Sequence, residues 1–444
     1  MSKCKQVFRR ARPRRALTGL LCALAALWLP SAAAEVAADA PAVGPEAAAP
    51  LARPAKPLRY KLDYEARFAP EHGSVQVSLT VRQPRDLLRE VRFSFDPERY
   101  GNFSADGELA VEGTEVRWRP PLEGGRLAFS LTLNHQRRGG AFDSLMEEHW
   151  AVFRGDDLFP PATVTAVKGA HSRARLRLSG PDDWSFISPY PRTGPSSEWF
   201  RVDWEDRNFD RPVGWMAAGR LAVRRETIAG RKVAVAGPTG QGVRHLDMLA
   251  FLHWNLPKLV EVFPHFPGRL LLVAAGDPMW RGGLSGPHSL YLHADRPLLS
   301  GNGTSTLLHE LVHVAQAFRA RHDEDWIVEG IAEFYTLELM HRSGTISKAR
   351  RDRGFEKLEQ WAERIKGLEG QRSTGARTAK GVTVMRALDA ELRRRSDGKH
   401  SLDDVARTLA ENGVPVSVER LRRASAALAG GPLDALSDKA LAEY

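Results

Sequence analysis

The 444-residue sequence predicts an α+β multidomain chain: an N-terminal antiparallel β-sandwich, then an α/β domain with a helical C-terminal part. Three observations carry that expectation. Short runs with period-two alternation crowd the first half, helix-period segments dominate later, and the pattern changes around "NFDRPVGWMAAG" at 208–219. With 43% hydrophobic and 27% charged residues, the chain can build two or three cores, which excludes a disordered protein.

The first element is a processing signal. "MSKCKQVFRRARPRR" carries seven basic and no acidic residues, the apolar run "ALTGLLCALAALWLP" follows, and "SAAAE" puts small residues at the cleavage position. Residues 1–34 therefore read as a bacterial-type secretory signal peptide, and the protein as exported, periplasmic or secreted. The apolar run is short of the roughly 20 residues that span a bilayer, so no stable membrane span is expected once the signal is removed. Cys4 and Cys22 both lie inside the signal, which leaves the mature chain without a disulfide or a thiolate ligand. The formal charge of +10, less the seven charges of residues 1–34, leaves +3. A nucleic-acid partner then loses its electrostatic support, and none is expected.

Residues 35–57, "EVAADAPAVGPEAAAPLARPAKP", are Ala/Pro-rich with no aromatic residue, as expected of a linker. Residues 58–222 contain "SVQVSLTV" (74–81), "EVRFSFD" (90–96), "TEVRWRP" (114–120), "RLAFSLTLNH" (126–135) and "RARLRLSG" (173–180). Alternating runs separated by Gly, Pro and Asp turns are the pattern of sandwich strands. Residues 223–444 contain the strand-like "RKVAVAG", then the helical "VRHLDMLAFLHWNLPKLVEVF", continue with strand-like "GRLLLVAAG" and "HSLYLHAD" (288–295), and are mainly helical from Thr304 onward.

The chemistry concentrates in "TLLHELVHVAQ" (306–316). Helical spacing of four puts His309 and His313 on one face, so both imidazoles reach one ion. Glu310 sits beside the first ligand on the rotated face, where a carboxylate acts as general base toward a water acidified by the ion. Downstream, "DEDWIVEGIAEFYTLELM" (323–340) carries Glu329 and Glu333 at the same spacing among apolar residues, which fits poorly with a solvated acidic face. Glu329 completes a His, His, Glu ligand set with one position open, the arrangement of a catalytic zinc, one ion per chain. Glu333, one turn on, is placed to fix the tautomer of a ligand imidazole.

"HELVH" followed after fifteen residues by "EGIAEF" resembles the gluzincin metallopeptidases. The likeness is closer to the glycyl aminopeptidase family, and extends to "FRGDDLFPPATVTAV" (153–167), "RGGLSGPHS" (281–289) and "AKGVTVMRALDAELRRRSDGKHSLDDVARTL" (379–409). The resemblance implies a β domain before a thermolysin-like catalytic domain, with His309, His313 and Glu329 as zinc ligands, Glu310 as base, and a peptide or protein as substrate. It also implies that substrate lies extended along an exposed strand edge just before the zinc helix, for which "HSLYLHAD" is the candidate.

Two departures touch the chemistry. Relatives carry a glutamate after Gly-Gly-Leu that holds the substrate's amino terminus, where this chain has Ser285, a neutral hydroxyl that cannot pair with an ammonium group as a carboxylate does. Relatives also carry a tyrosine two residues before the Lys-Gly of the next helix, an oxyanion donor, where this chain has Thr378. His288, Tyr291 and His293, or Tyr335 and His341, are the candidate replacements. Two functions are therefore expected in contrast: an exported zinc metallopeptidase, or a zinc-bearing, catalytically silent peptide-binding module. The oligomeric state has no signature in the sequence.

Overall fold

A 12-residue strand, Leu58–Ala69, sets the pattern of the first half: Tyr60, Leu62, Tyr64, Ala66 and Phe68 are all buried on one face. The computed structural model describes residues 58–202, 207–368 and 373–443, so the signal and linker segments at 1–57 lie outside the described residues. This first strand lies inside a six-stranded sheet whose order is Trp199–Arg201, Ala170–Ser179, Leu58–Ala69, Ser74–Arg82, Gly124–Thr132 and Tyr100–Ala105. A four-stranded sheet (Ala162–Ala166, Leu88–Ser94, Glu115–Arg119, Glu108–Glu112) contributes Val91, Phe93, Val116 and Trp118 to the same core. The sheets are mainly antiparallel, as expected, but Leu58–Ala69 and Ala170–Ser179 pair in parallel. Side-chain alternation is the same in both pairings, so period two does not reveal strand direction.

The "FRGDDLFPP" segment forms a helical turn, Gly155–Leu158, whose two aspartates tie strands and loops of the first half together. Asp156 pairs with Arg211 at 3.0 Å, and Asp157 accepts from Ser144 Oγ at 2.5 Å and pairs with Arg99 at 3.4 Å. A five-stranded sheet (Ser185–Ile187, Trp215–Gly219, Trp150–Arg154, Phe142–Met146, His135–Gln136) carries the chain across to the second half.

That second half is built on a mixed sheet of β1 (Leu221–Ile228), β2 (Arg231–Pro238), β3 (Arg269–Ala275), β4 (Gly283–Gly286) and β5 (Ser289–His293), in the order β1-β2-β3-β5-β4. One face packs on helices: α1 (His245–Val262), α2 (Thr306–Gln316) and α3 (Asp325–Arg342) join Val233, Val235, Leu270, Leu272, Leu290 and Leu292 in one core. The opposite face, with Leu271, Val273 and Tyr291, packs on Trp150 and Trp215 of the five-stranded sheet. Helices α4 (Lys348–Ala362), α5 (Ala376–Arg395), α6 (Leu402–Ala410), α7 (Val418–Ala429) and the short α8 (Asp438–Glu443) complete the helical part among the described residues. No helix among the described residues is long and apolar enough to cross a membrane.

The sheet order corrects one expectation. "HSLYLHAD" was expected at an exposed edge, yet β5 is paired on both sides, in parallel with β3 and antiparallel with β4. The edge belongs to β4, "GLSG". Four residues bounded by glycines carry no readable alternation, so this strand was invisible to a hydrophobic pattern.

Candidate metal centre

Helix α2 starts where Ser305 Oγ accepts from the Leu308 amide, and ends where Ala317 turns left-handed at φ +52°. Its single run of three turns places His309 and His313 one above the other, facing α3. Helices α3 and α5 approach closely through two glycines: a Cβ added at Gly330 would lie 2.8 Å from the Gly381 carbonyl carbon, and one at Gly381 would lie 2.6 Å from the Trp326 oxygen. The glycines of "EG" and "KG" thus bring the Glu329 turn of α3 against the Thr378 turn of α5.

The ligand-capable atoms converge. His309 Nε2 stands 3.0 Å from His313 Nε2 and 3.2 Å from Glu329 Oε2, while His313 Nε2 is 3.5 Å from Glu329 Oε1. Ligands held about 2.0–2.1 Å from a tetrahedral zinc stand about 3.3–3.4 Å apart, so this spacing fits the ion without rearrangement. His309 Nδ1 lies 2.9 Å from Glu333 Oε2. A proton on Nδ1 donated to that carboxylate leaves Nε2 with a free lone pair toward the other two ligands.

The three groups are electrostatically coupled. Burial works against the imidazolium of His309, but hydrogen bonds to Glu329 and Glu333 outweigh it and hold the ring's proton well above the ordinary range. Burial likewise opposes the Glu329 carboxylate, and the hydrogen bonds from His309 and His313 win, pulling it well below the carboxylate range. A proton bound here stands where a divalent cation would neutralise the same carboxylates.

Glu310 is 9% exposed and faces the start of the edge strand. A Cβ at Gly283 would lie 2.8 Å from Glu310 Cγ and 2.8 Å from Thr306 Cγ2, so only glycine lets β4 pass this close to the helix. The pocket over the cluster, about 370 Å³, is lined by Glu310, Glu329, Glu333, Thr306 and Thr378, and walled by Trp280 and Trp361.

Of the proposed substrate residues, Thr378 reaches this pocket, its Oγ1 3.3 Å from Ser373 Oγ. Ser285 shares Gly283's face of β4, two positions further along, and is not among the lining residues. Tyr291 is corrected: it is 1% exposed, on the sheet face away from α2, and its hydroxyl donates to the Ala275 and Trp280 carbonyls. Strand parity is the reason, because Leu290 and Leu292 take the helix face and leave Tyr291 the other. His288 is also away from the pocket, before the far end of β5, where burial and then Arg207 lower its pKa to about 4. Tyr335 is buried in the core with its hydroxyl on Asp403, and neither His293 nor His341 lines the pocket. Trp280, Trp361 and Arg296 went unread in the sequence. Trp280 is two residues before Gly-Gly and was within reach of a motif reading; Trp361 comes from α4 and carried no signal.

A second group, Asp277, His293 and Asp295, also brings three ligand-capable atoms within 4.8 Å.

Comparison with solved structures places the fold. The chain is similar to the crystal structure of an aminopeptidase N family protein from Idiomarina loihiensis, with a TM-score of 0.62 and 16% sequence identity. The match covers 80% of this chain and 71% of that one. The fold is aminopeptidase-like. No family model and no curated protein matches the sequence.

Proposed function

We propose that this chain is an exported, zinc-dependent metallopeptidase. The observation that carries the reading is the convergence of His309 Nε2, His313 Nε2 and Glu329 within 3.0–3.5 Å, with Glu310 beside them and Glu333 orienting His309. Bound there, zinc supplies a Lewis acid that polarises a carbonyl and lowers the pKa of water. Glu310 takes the proton of the attacking water and passes it to the leaving amine. The unpaired edge of β4 offers backbone donors and acceptors to an extended peptide, and its first residue, Gly283, abuts Glu310. Trp280 and Trp361 wall the site and limit its access to water.

Among the described residues, the carboxylates lining the pocket are Glu310, Glu329 and Glu333, all committed to the metal site. We therefore read the enzyme as acting without a required free amino terminus. Purified mature protein incubated with paired free and N-acetylated peptides tests this: both should be cut at comparable rates, and chelator should stop both. Cleavage restricted to free amino termini would overturn that preference while leaving the zinc mechanism standing.

One observation favours the silent-module reading. No tyrosine, and no histidine besides the ligand ring of His309, lines the pocket among the described residues, and Thr378 shares its hydroxyl with Ser373, which leaves Arg296 as the lining's cationic donor. A zinc-loaded protein that binds peptides with no turnover above background would establish it.

A further inference from the structure

The like-charged end of the mixed sheet points to a second site. Cross-strand partners share a face, and residues two apart on a strand do too. Lys232 on β2 is in register with Arg269 on β3, and with Thr227 on β1; Ala234 lies between Arg225 and Leu271 in the next row. All of these lie on the face opposite α1, because Val233 and Leu270 take the helix face. Lys232, Arg269 and Arg225 are thus neighbours on one face, with adjacent strands only about 4.8 Å apart. They line a cavity of about 620 Å³, whose far wall carries Phe186, Ile187 and Phe200 together with Ser188, Tyr190 and Arg192.

Nothing among the described residues neutralises them. The one carboxylate in the lining, Glu226, is paired with Val233 in register and therefore lies on the other face, where it pairs with His253 of α1. Arg269 Nε is buried and has no hydrogen-bond partner. Burial and then Arg225 lower the pKa of Arg269, so its charge is held at a cost. The small Ala234 leaves room at the centre of the basic face. A volume of this size is in the range of small-molecule sites, roughly 300–1,000 Å³.

We infer that this cavity is a binding site for a small polyanion, a molecule with two or more carboxylate or phosphate groups, held by Lys232, Arg269 and Arg225. The site lies on the sheet face away from the metal centre and does not depend on the peptidase reading. Calorimetric titration of the full mature chain with citrate and with pyrophosphate tests it, the two probes separating carboxylate from phosphate recognition. Binding by one or both is expected at micromolar to low-millimolar concentration, weakening steeply with added salt. It should fall at least tenfold in Lys232→Gln and in Arg269→Gln, and persist in the double variant His309→Ala/His313→Ala, which excludes capture by zinc. Lys232 is exposed, so its variant keeps the fold if Arg269→Gln does not. Without anion, Lys232→Gln should raise Tm by relieving repulsion. Binding of neither probe, or binding unchanged in Lys232→Gln, overturns the proposal.

Discussion

His309, His313 and Glu329 on one side, and Asp277, His293 and Asp295 on the other, offer three ligand-capable atoms each within the same 4.8 Å. Their chemistry differs in what the second nitrogen of each histidine does. His309 Nδ1 meets the Glu333 carboxylate, an acceptor, so the neutral ring keeps its proton on Nδ1 and Nε2, once it has lost its own, is the nitrogen turned toward the other two donors. His293 Nδ1 accepts from the Asp295 backbone N–H at 3.2 Å and is thereby engaged, while Nε2 lies 3.3 Å from Asp277 Oδ1 without a hydrogen bond. Arg281 also occupies the second group as its resident cation, paired with Asp277 and 4.0 Å from Asp295. Its guanidinium and His293 together hold the Asp277 carboxyl below the usual range. Convergence of donors is thus necessary for a metal site but not sufficient. The tautomer and the local counter-ion decide.

The sharpest test of this contrast is to remove one histidine from each group. His309→Ala or His313→Ala should abolish stoichiometric zinc and reduce peptide hydrolysis to background, whereas His293→Ala should leave one zinc per chain, as measured by elemental analysis of dialysed protein. Two zinc ions per wild-type chain would break the comparison.

Next in size is the base. Glu310→Gln should keep its zinc and lose about 10²–10⁴-fold in kcat, the span attributed to general-base catalysis. Retained hydrolysis at full zinc content would refute the role given to Glu310.

Removing the orienting carboxylate is expected to matter less. Glu333→Gln should weaken zinc binding about 10–100-fold in a competition titration against a chromophoric chelator, while Asp277→Asn leaves it unchanged. Equal effects from the two substitutions would erase the distinction drawn from the tautomers.

The smallest effect is a pH slope. In the metal-free protein the hydrogen bonds to Glu329 and Glu333 hold the proton of His309 above its ordinary pKa despite burial. Zinc must displace that proton below the raised pKa, so apparent affinity should fall about tenfold for each unit of acidification there and level off above it. A pH-independent affinity between pH 6 and 8 would mean that His309 binds no proton in the metal-free state.

The convergence of His309, His313 and Glu329 was largely legible in the sequence because its parts are local. His309, Glu310 and His313 lie within one helix, as do Glu329 and Glu333, and the helical repeat alone places each set. What escaped depended on neighbours distant in the chain. Period-two alternation located the strands but not their direction, so the parallel pairing of Leu58–Ala69 with Ala170–Ser179 was missed. Tyr291 could replace the oxyanion donor only from an edge strand facing the zinc helix; β4, with too few side chains to read, takes the edge instead, and Tyr291 faces the other way.

The sequence by itself determined which residues could share a helix face, since an α-helix fixes the relation of positions three and four apart with no help from the rest of the chain. The tertiary structure decided which of those faces meet and which charges remain unpaired. Gly330 against Gly381 sets Glu329 beside the histidines, Arg281 fills the second acidic group, and the register of β2 and β3 sets Lys232 beside Arg269. Each of these joins residues from different elements. Their approach is governed by long-range packing, which local spacing does not encode.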